Sequence, residues 1–214
     1  MTHRHARRII IVDDHSIVRA GLRRILDDLP EWEVSGEAAT YDEALAAVRS
    51  IGCELIILDI TLGARNGLDL LKQLRHEFPV IPVLILSVHS EEEYALRCLR
   101  AGAAGYLMKE SAPEELIAAI ARVSRGKRYM SEEVAEQLAT HAIHGRDTLP
   151  HERLSDREHE IFRMLIAGET VTHIAQSLSL SVKTVSTHRS HILQKMRMHS
   201  TADLIRYGIE HKLS

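Results

Sequence analysis

The sequence predicts an α/β domain, five β/α units around a parallel sheet, followed by a smaller all-α domain. Three observations carry this prediction. The runs Ile9–Val12, Leu55–Leu58, Val83–Leu86 and Gly105–Met108 are short and apolar throughout, as strands buried on both faces are. Helical stretches separate them, the spacing that parallel crossovers need. After Gly126 the strand-like runs stop and only helical periodicity remains.

Each element has its own signal. The first strand leads into a helix whose apolar stripe is Ile17, Leu22, Ile25 and Leu26, and Glu33–Ala38 supplies the second strand. Thr40 with Glu43 reads as a capping box opening a second helix over Ala44–Val48. Leu68–Leu74 carries a third helix. Ser90 with Glu93 caps a fourth, which closes at Gly102. Ser111 with Glu114, and Pro113 in the first turn, opens a fifth through Val123. Ser131–Ala142 is again helical, with Val134, Leu138 and Ala142 on one stripe. His144–Pro150 is polar, contains Gly and Pro, and has no apolar period, as a linker would. The domains are therefore read as 7–125, a helical and flexible connection over 126–149, and 150–214.

Beyond the linker, Ser155 and Glu158 form a capping box. The helix they open runs to Gly168 with Ile161, Met164 and Leu165 inward. Val171–Leu178 is a short helix burying Ile174 and Ala175. Leu180-Ser181 then turns tightly into Val182–Met196, whose stripe is Val185, Ile192 and Met196 with His188 between.

Composition narrows the class. A chain of 214 residues has room for two modest domains, and 45% hydrophobic with 27% charged residues is ordinary for soluble protein. The 2 cysteines, Cys53 and Cys98, form no paired motif and read as buried free thiols of a reducing compartment. The basic start (His3, Arg4, Arg7, Arg8) is followed by too short an apolar run for a signal peptide, and no stretch reaches membrane-spanning length. The expectation is a cytoplasmic protein with no membrane partner. The net charge of −3 hides an asymmetry: from Thr170 to Ala202 there is no acid, while Lys183, Arg189, Lys195 and Arg197 are present. The 14 histidines do not amount to a zinc site, since no Cys or carboxylate completes one beside His188 and His191.

Four of the apolar runs end on residues that can do chemistry: Asp13 and Asp14, Asp59, Ser87, and Lys109. In a parallel sheet the carboxyl ends of the strands share one edge, where ligands bind. Three carboxylates gathered there repel one another, and a hard divalent cation with oxygen ligands, Mg²⁺, relieves that repulsion. One carboxylate can then act as a nucleophile and form an acyl-phosphate while Lys109 screens the phosphoryl oxygens. Ser87 supplies a hydroxyl donor. Turn preference explains one Asp at a strand end, but not the whole set on alternating β/α units.

In the second half, two helices joined by a short turn, the second of them basic, fit a helix-turn-helix reader of DNA. The face opposite the apolar stripe displays Lys183, Ser186, Thr187, Arg189 and Ser190. Residues near the start of such a helix meet base edges, while flanking cations neutralise phosphates.

With Asp13-Asp14, Asp59, Ser87, Lys109, Gly67 and Tyr106 in these positions, residues 7–125 resemble the receiver domain of two-component response regulators. The resemblance implies a flavodoxin-like (βα)₅ fold and transfer of a phosphoryl group from a sensor histidine kinase to Asp59. It implies Mg²⁺ held by Asp13, Asp14, Asp59 and the main-chain carbonyl of Thr61. It also implies that Ser87 swings toward the phosphate and that Tyr106, as a switch, rotates inward behind it. Two positions depart from the family pattern: Gly63 and Glu110 stand where it has proline.

Leu154–Leu213 in turn resembles the LuxR-type DNA-binding domain of NarL/FixJ regulators. The resemblance rests on Leu154-Ser155-Asp156-Arg157-Glu158, Gly168-Glu169, Ile174-Ala175-Gln176-Ser177-Leu178, Leu180-Ser181, Thr184-Val185, His188, Ile192 and Lys195-Met196. It implies double-stranded operator DNA as ligand, RNA polymerase as partner, and a homodimer formed on phosphorylation or DNA binding. It adds Thr184 and Lys195 to the residues expected to meet DNA. Thr170-Val171-Thr172-His173 and Ser186 depart from the family's frequent residues on the reading face.

Two other functions would use parts of this pattern. A constitutive DNA-binding regulator with a non-phosphorylated receiver would not need the complete set Asp13, Asp14, Asp59, Ser87 and Lys109. A phosphatase using Asp59 as nucleophile looks for a second Asp two residues on, where this chain has Thr61. The expectation is a phosphorylation-controlled transcriptional regulator, not an enzyme beyond its own phosphoryl transfer and slow dephosphorylation.

Overall fold

The computed structural model describes residues 6–62, 65–88, 92–130, 149–211 and 213. The chain divides into two compact units, Met1–Ile143 and His144–Ser214. Gly63, the Ser90 cap, the helix expected over 131–142 and most of the expected linker lie outside the described residues. No helix among the described residues is long and apolar enough to cross a membrane.

In the first unit, β1 (Arg7–Val12), α1 (Ser16–Asp27), β2 (Trp32–Ala38), α2 (Tyr41–Ile51) and β3 (Leu55–Asp59) are followed by a small antiparallel pair, β4 (Thr61–Leu62) with β5 (Arg65–Asn66). Then come α3 (Gly67–Glu77), β6 (Val83–Ser87), α4 (Glu92–Arg100), β7 (Gly105–Met108) and α5 (Pro113–Val123). The main sheet has the order β2-β1-β3-β6-β7 and every pairing in it is parallel. Successive strand residues point to opposite faces. Ile10, Val12, Ile56, Leu58 and Ile85 therefore pack under α2, α3 and α4, and Ile9, Ile11, Leu55, Ile57 and Leu84 pack under α1 and α5. Both faces are covered, which is why these strands read as unbroken apolar runs.

Several local expectations need correction. Ile17 is 82% exposed, and the inward stripe of α1 is Val18, Leu22, Ile25 and Leu26, continued by Leu29 just past the helix end. Ile17 lies one residue, about 100° of helix, off that stripe. At α2 the Thr40 side chain accepts from Glu43 N–H as expected, but the Glu43 carboxylate takes the Ala39 N–H rather than that of Thr40. At α5 the cap is Ala112, not Ser111, because Pro113 occupies the first helical position and fixes where the helix begins. All peptide bonds among the described residues are trans, Lys109–Glu110 included.

The second unit opens with a 3₁₀ turn, Pro150–Arg153, followed by α6 (Asp156–Ile166), α7 (Val171–Ser177), α8 (Val182–Met196) and α9 (Thr201–Glu210). Both arms of the Ser155–Glu158 capping box are present. The core is formed by Ile161, Phe162 and Leu165 of α6, Ile174 and Ala175 of α7, Val185, Ile192 and Met196 of α8, and Leu204 and Tyr207 of α9. Met164 is only partly buried, and Phe162 and His159 take the inward positions instead. The last helix was not read from the sequence, although its own capping box, Ser200 with Asp203, was there to be seen.

Candidate functional site

The carboxyl edge of the sheet gathers the chemistry. Asp13 follows β1, Asp59 ends β3, Ser87 ends β6, and Lys109 follows β7. Asp13 and Asp59 are each 1% exposed, and Ser87 is fully buried. The Lys109 Nζ lies 2.7 Å from Asp13 Oδ2 and 2.7 Å from Asp59 Oδ2, so one ammonium joins both buried carboxylates. The main-chain N–H of Lys109 donates to the Ser87 carbonyl at 2.8 Å, which fixes the two strand ends to each other.

The loop after Asp59 turns back at Gly67. A Cβ there would come within 2.5 Å of the Ile60 carbonyl oxygen and 2.7 Å of that of Asp59, so only glycine fits. The turn lets the Thr61 N–H donate to Asp59 Oδ1 at 3.0 Å, which orients the carboxylate. Burial pushes the Asp59 carboxyl up to about 6, against the opposing pull of Lys109 and the Thr61 N–H. Burial works the other way on Lys109, but its bonds to Asp13 and Asp59 outweigh it and leave the ammonium above its ordinary range.

Asp14 lies at the pocket mouth, with His15 Nδ1 2.7 Å from its Oδ1. Carboxylate oxygens of Asp13, Asp14 and Asp59 and a ring nitrogen of His15 all fall within 4.8 Å of one another. The sequence reading missed His15, whose signal was its place beside the acidic pair. It also missed Arg19, whose Nη1 donates to the Asp13 main-chain carbonyl at 2.7 Å. Tyr106 is 5% exposed, packed among Tyr94, Ala95, Cys98 and Leu99, with its hydroxyl hydrogen-bonded to Ser87. The ring that was expected to rotate inward is already inside.

On α8, Lys183, Thr187 and Ser190 are exposed, Ser186 and Arg189 half-buried. The Thr187 and Ser190 hydroxyls donate to the carbonyls of Lys183 and Ser186, each at 3.0 Å, so their oxygens remain as outward acceptors. Thr184 belongs to the helix cap, its hydroxyl 2.7 Å from that of Ser181. Arg189 Nε donates to the Thr201 hydroxyl at 2.9 Å and ties α8 to the start of α9. Lys195 departs furthest from expectation. Its Nζ lies 2.5 Å from Glu158 Oε2, so it braces α8 against the α6 cap rather than standing free for a phosphate. His188 is half-buried and burial holds its ring below the ordinary histidine range, as suits a packing residue. Among the described residues, the cluster of metal-ligating side chains is the acidic pocket, and His188 and His191 form none.

Both halves match known families. The response regulator receiver domain matches residues 9–121, and the luxR family of bacterial regulatory proteins matches residues 152–208. The response regulator UvrY of Escherichia coli K12 is 34% identical over 206 residues, covering 96% of this chain and 94% of its own length. The chain belongs to the NarL/FixJ family of response regulators. The regulator is also 34% identical over 204 residues to the response regulator GacA of Pseudomonas protegens, covering 95% of this chain and 96% of that one. Among solved structures it is similar to RcsB from Salmonella enterica serovar Typhimurium bound to the rprA promoter in the presence of the phosphomimetic BeF₃⁻. That likeness has a TM-score of 0.65 at 25% identity, covering 95% of this chain and 98% of the other. The response regulator ChrA of a heme-sensing two-component system gives a TM-score of 0.53 at 31% identity, covering 98% of this chain and 99% of the other. The regulator is thus a phosphorylation-regulated transcription factor with a receiver and a LuxR-type DNA-binding domain, of a family that interacts with sensor kinases and with DNA.

Proposed function

We propose that Asp59 is the phosphoryl acceptor of this regulator and that α8 reads operator DNA. The observation that carries the first part is the Asp13–Lys109–Asp59 junction at 2.7 Å on the carboxyl edge of the sheet. A phosphohistidine of a sensor histidine kinase is the donor. A carboxylate oxygen of Asp59 attacks phosphorus, the nitrogen–phosphorus bond breaks, and an acyl-phosphate forms. Lys109 turns from carboxylate to phosphoryl oxygen, and Asp13 retains part of its charge.

The carboxylate oxygens of Asp13, Asp14 and Asp59 fit Mg²⁺, the Thr61 carbonyl being the further oxygen ligand that the family resemblance implies; bound there, the ion would neutralise phosphoryl oxygens. A phosphate on Asp59 offers Ser87 a charged acceptor in place of the Tyr106 hydroxyl. Ser87 can shift to it, and Tyr106, on β7, repacks against α4. That biases a surface between two states, the step that couples the pocket to a partner.

Under this reading 7–125 is the receiver, 126–149 the connection and 150–214 the reader, acting in the cytoplasm. RcsB has been solved as dimers bound to DNA. A homodimer of this chain on a two-fold-related site would double the phosphate contacts and place it beside RNA polymerase at a promoter.

The test is incubation with a small phosphodonor and Mg²⁺. A stable, hydroxylamine-sensitive label supports the acceptor reading. Rapid release of phosphate without label would favour a phosphatase, and no label at all a constitutive regulator. On the DNA side, Lys183→Ala should weaken binding to every sequence and reduce the salt slope by roughly 1, as for one phosphate contact. Changes at Ser186 or Thr187 should instead shift base preference, by about 1–3 kcal/mol per lost contact. A Lys183→Ala variant with changed preference and unchanged overall affinity would reverse these roles.

A further inference from the structure

The acidic pair sits on a short loop between β1 and α1, and the start of α1 lacks its usual fastenings. Its cap residue, His15, makes no side-chain capping bond, and the first turn carries no acid. Arg19 fastens the loop by another route, as a donor to a carbonyl rather than as an acceptor for the free N–H groups. Its Nη1 donates to the Asp13 main-chain carbonyl at 2.7 Å, and its Nε donates to Glu37 Oε2 at 3.1 Å. Glu37, on β2, is held in turn by Arg23, whose Nε and Nη2 both reach Glu37 Oε1.

The Asp13 main-chain N–H donates to the Ala38 carbonyl at 3.0 Å. Both backbone polar groups of Asp13 are thus anchored, one to β2 directly and one through Arg19. Its carboxylate is anchored as well, by the His15 N–H at 2.7 Å and by Lys109.

We propose that Arg19 is a positioning residue for the acidic pocket: it holds the Asp13 backbone, and so the Asp13 and Asp14 carboxylates, in the arrangement that takes a divalent cation. The inference rests on the pocket reading above. Charge and position act in opposite directions here. A guanidinium near three carboxylates repels a cation, so its removal would tighten Mg²⁺ binding if charge were its whole effect. If Arg19 positions the loop, its removal weakens binding, because groups that orient metal ligands typically contribute roughly 10–100-fold in affinity. Arg23 supplies the comparison. It touches Glu37 but not the loop, and its side chain is 44% exposed.

The experiment is a calorimetric titration of the full chain with Mg²⁺ alone, on wild type, Arg19→Ala, Arg19→Lys and Arg23→Ala, alongside thermal melts. The expected result is about a tenfold loss of Mg²⁺ affinity for Arg19→Ala. Arg23→Ala should bind as wild type or more tightly. Arg19→Lys should recover part of the loss, since one ammonium can reach the carbonyl or Glu37 but cannot span both as the guanidinium does. With a small phosphodonor, labelling of Arg19→Ala should return to the wild-type rate when Mg²⁺ is raised to saturation. General damage to the fold would lower the maximal rate and would not be rescued. Wild-type or tighter Mg²⁺ binding by Arg19→Ala overturns the role. If Arg19→Ala does not fold, Arg19→Lys decides: wild-type affinity in a variant that melts early marks the residue as structural only. Failure of wild type itself to bind Mg²⁺ would overturn the pocket reading and this role with it.

Discussion

Asp59→Asn is expected to abolish phosphoryl labelling and, in a chelating buffer near neutral pH, to make the receiver more stable. The first effect follows from chemistry, since an amide is not a nucleophile for phosphorus and no other carboxylate ends β3. The second follows from burial. Asp59 is 1% exposed, and burial raises its carboxyl from 3.8 to about 6 even though Lys109 and the Thr61 N–H oppose the shift. A carboxyl raised on folding binds more protons folded than unfolded between those two values. Stability therefore falls as pH rises from about 4 to about 6, and the penalty is complete at pH 7. Removing the charge recovers it, by about 1–3 kcal/mol, because each pK unit corresponds to about 1.4 kcal/mol and Lys109 keeps Asp13 as a partner.

Urea denaturation of wild type and variant, at pH 4 and pH 7 with EDTA, checks this. The variant should be the more stable at pH 7 and should lack the wild-type decline between the two pH values. Equal stability at pH 7, or label on the variant at wild-type level, would contradict the assignment. Labelling of wild type should fall as pH drops below about 6, because the protonated acid is no nucleophile. Bound Mg²⁺ should move that midpoint lower by favouring the anion. Storing such a cost at a reacting group is the usual trade of stability for function.

How much of this was legible in the sequence depends on how far apart the interacting groups are. The strands were readable because burial on both faces leaves no polar residue in Ile9–Val12 or Leu55–Leu58, and the pocket because parallel topology puts every strand end on one edge. What failed was decided by single residues or distant contacts. Ile17 is apolar and one position off the buried stripe, a distinction periodicity over a few turns does not make. The β4–β5 pair has two residues in each strand, too few for any alternation to register. Ser111 and Glu114 have the spacing of a capping box, but Pro113 moves the helix start past Ser111. Arg19 looks like any cation on an exposed helix until its contact with Asp13 is seen. The resemblance that placed Lys195 among the DNA-facing residues carries no sign of its bond to Glu158, 37 residues earlier, because nothing local shows that partner.

That last pairing leads to the largest expected loss in the DNA-binding unit. Glu158 is 4% exposed and serves three donors: the Ser155 N–H at 2.8 Å, the Ser155 hydroxyl at 2.8 Å and Lys195 Nζ at 2.5 Å. Glu158→Ala removes the reciprocal half of the α6 capping box and the brace to α8 together. The expected cost is about 2–4 kcal/mol, a helix cap plus a charge-assisted bond at a buried carboxylate. Lys195→Met keeps the aliphatic stem and should cost less, since Ser155 still serves the carboxylate and the lysine is 43% exposed. Burial alone would raise the Glu158 carboxyl, but Lys195 and Ser155 outweigh it and hold it below 4.5. A carboxyl lowered on folding adds stability that is fully present above about 4.5 and is lost as pH falls through its folded value, so wild type should lose this contribution in acid and Glu158→Ala should not. Hydrogen exchange of the α6 and α8 amides reads the loss, at about tenfold per 1.4 kcal/mol. DNA titrations over a range of salt then separate the two lysines. Lys183→Ala should flatten the salt slope, while Lys195→Met should leave it unchanged because its ammonium is already committed to Glu158. A slope reduced equally by both would return Lys195 to the phosphate contacts and make the Glu158 bond one that DNA displaces.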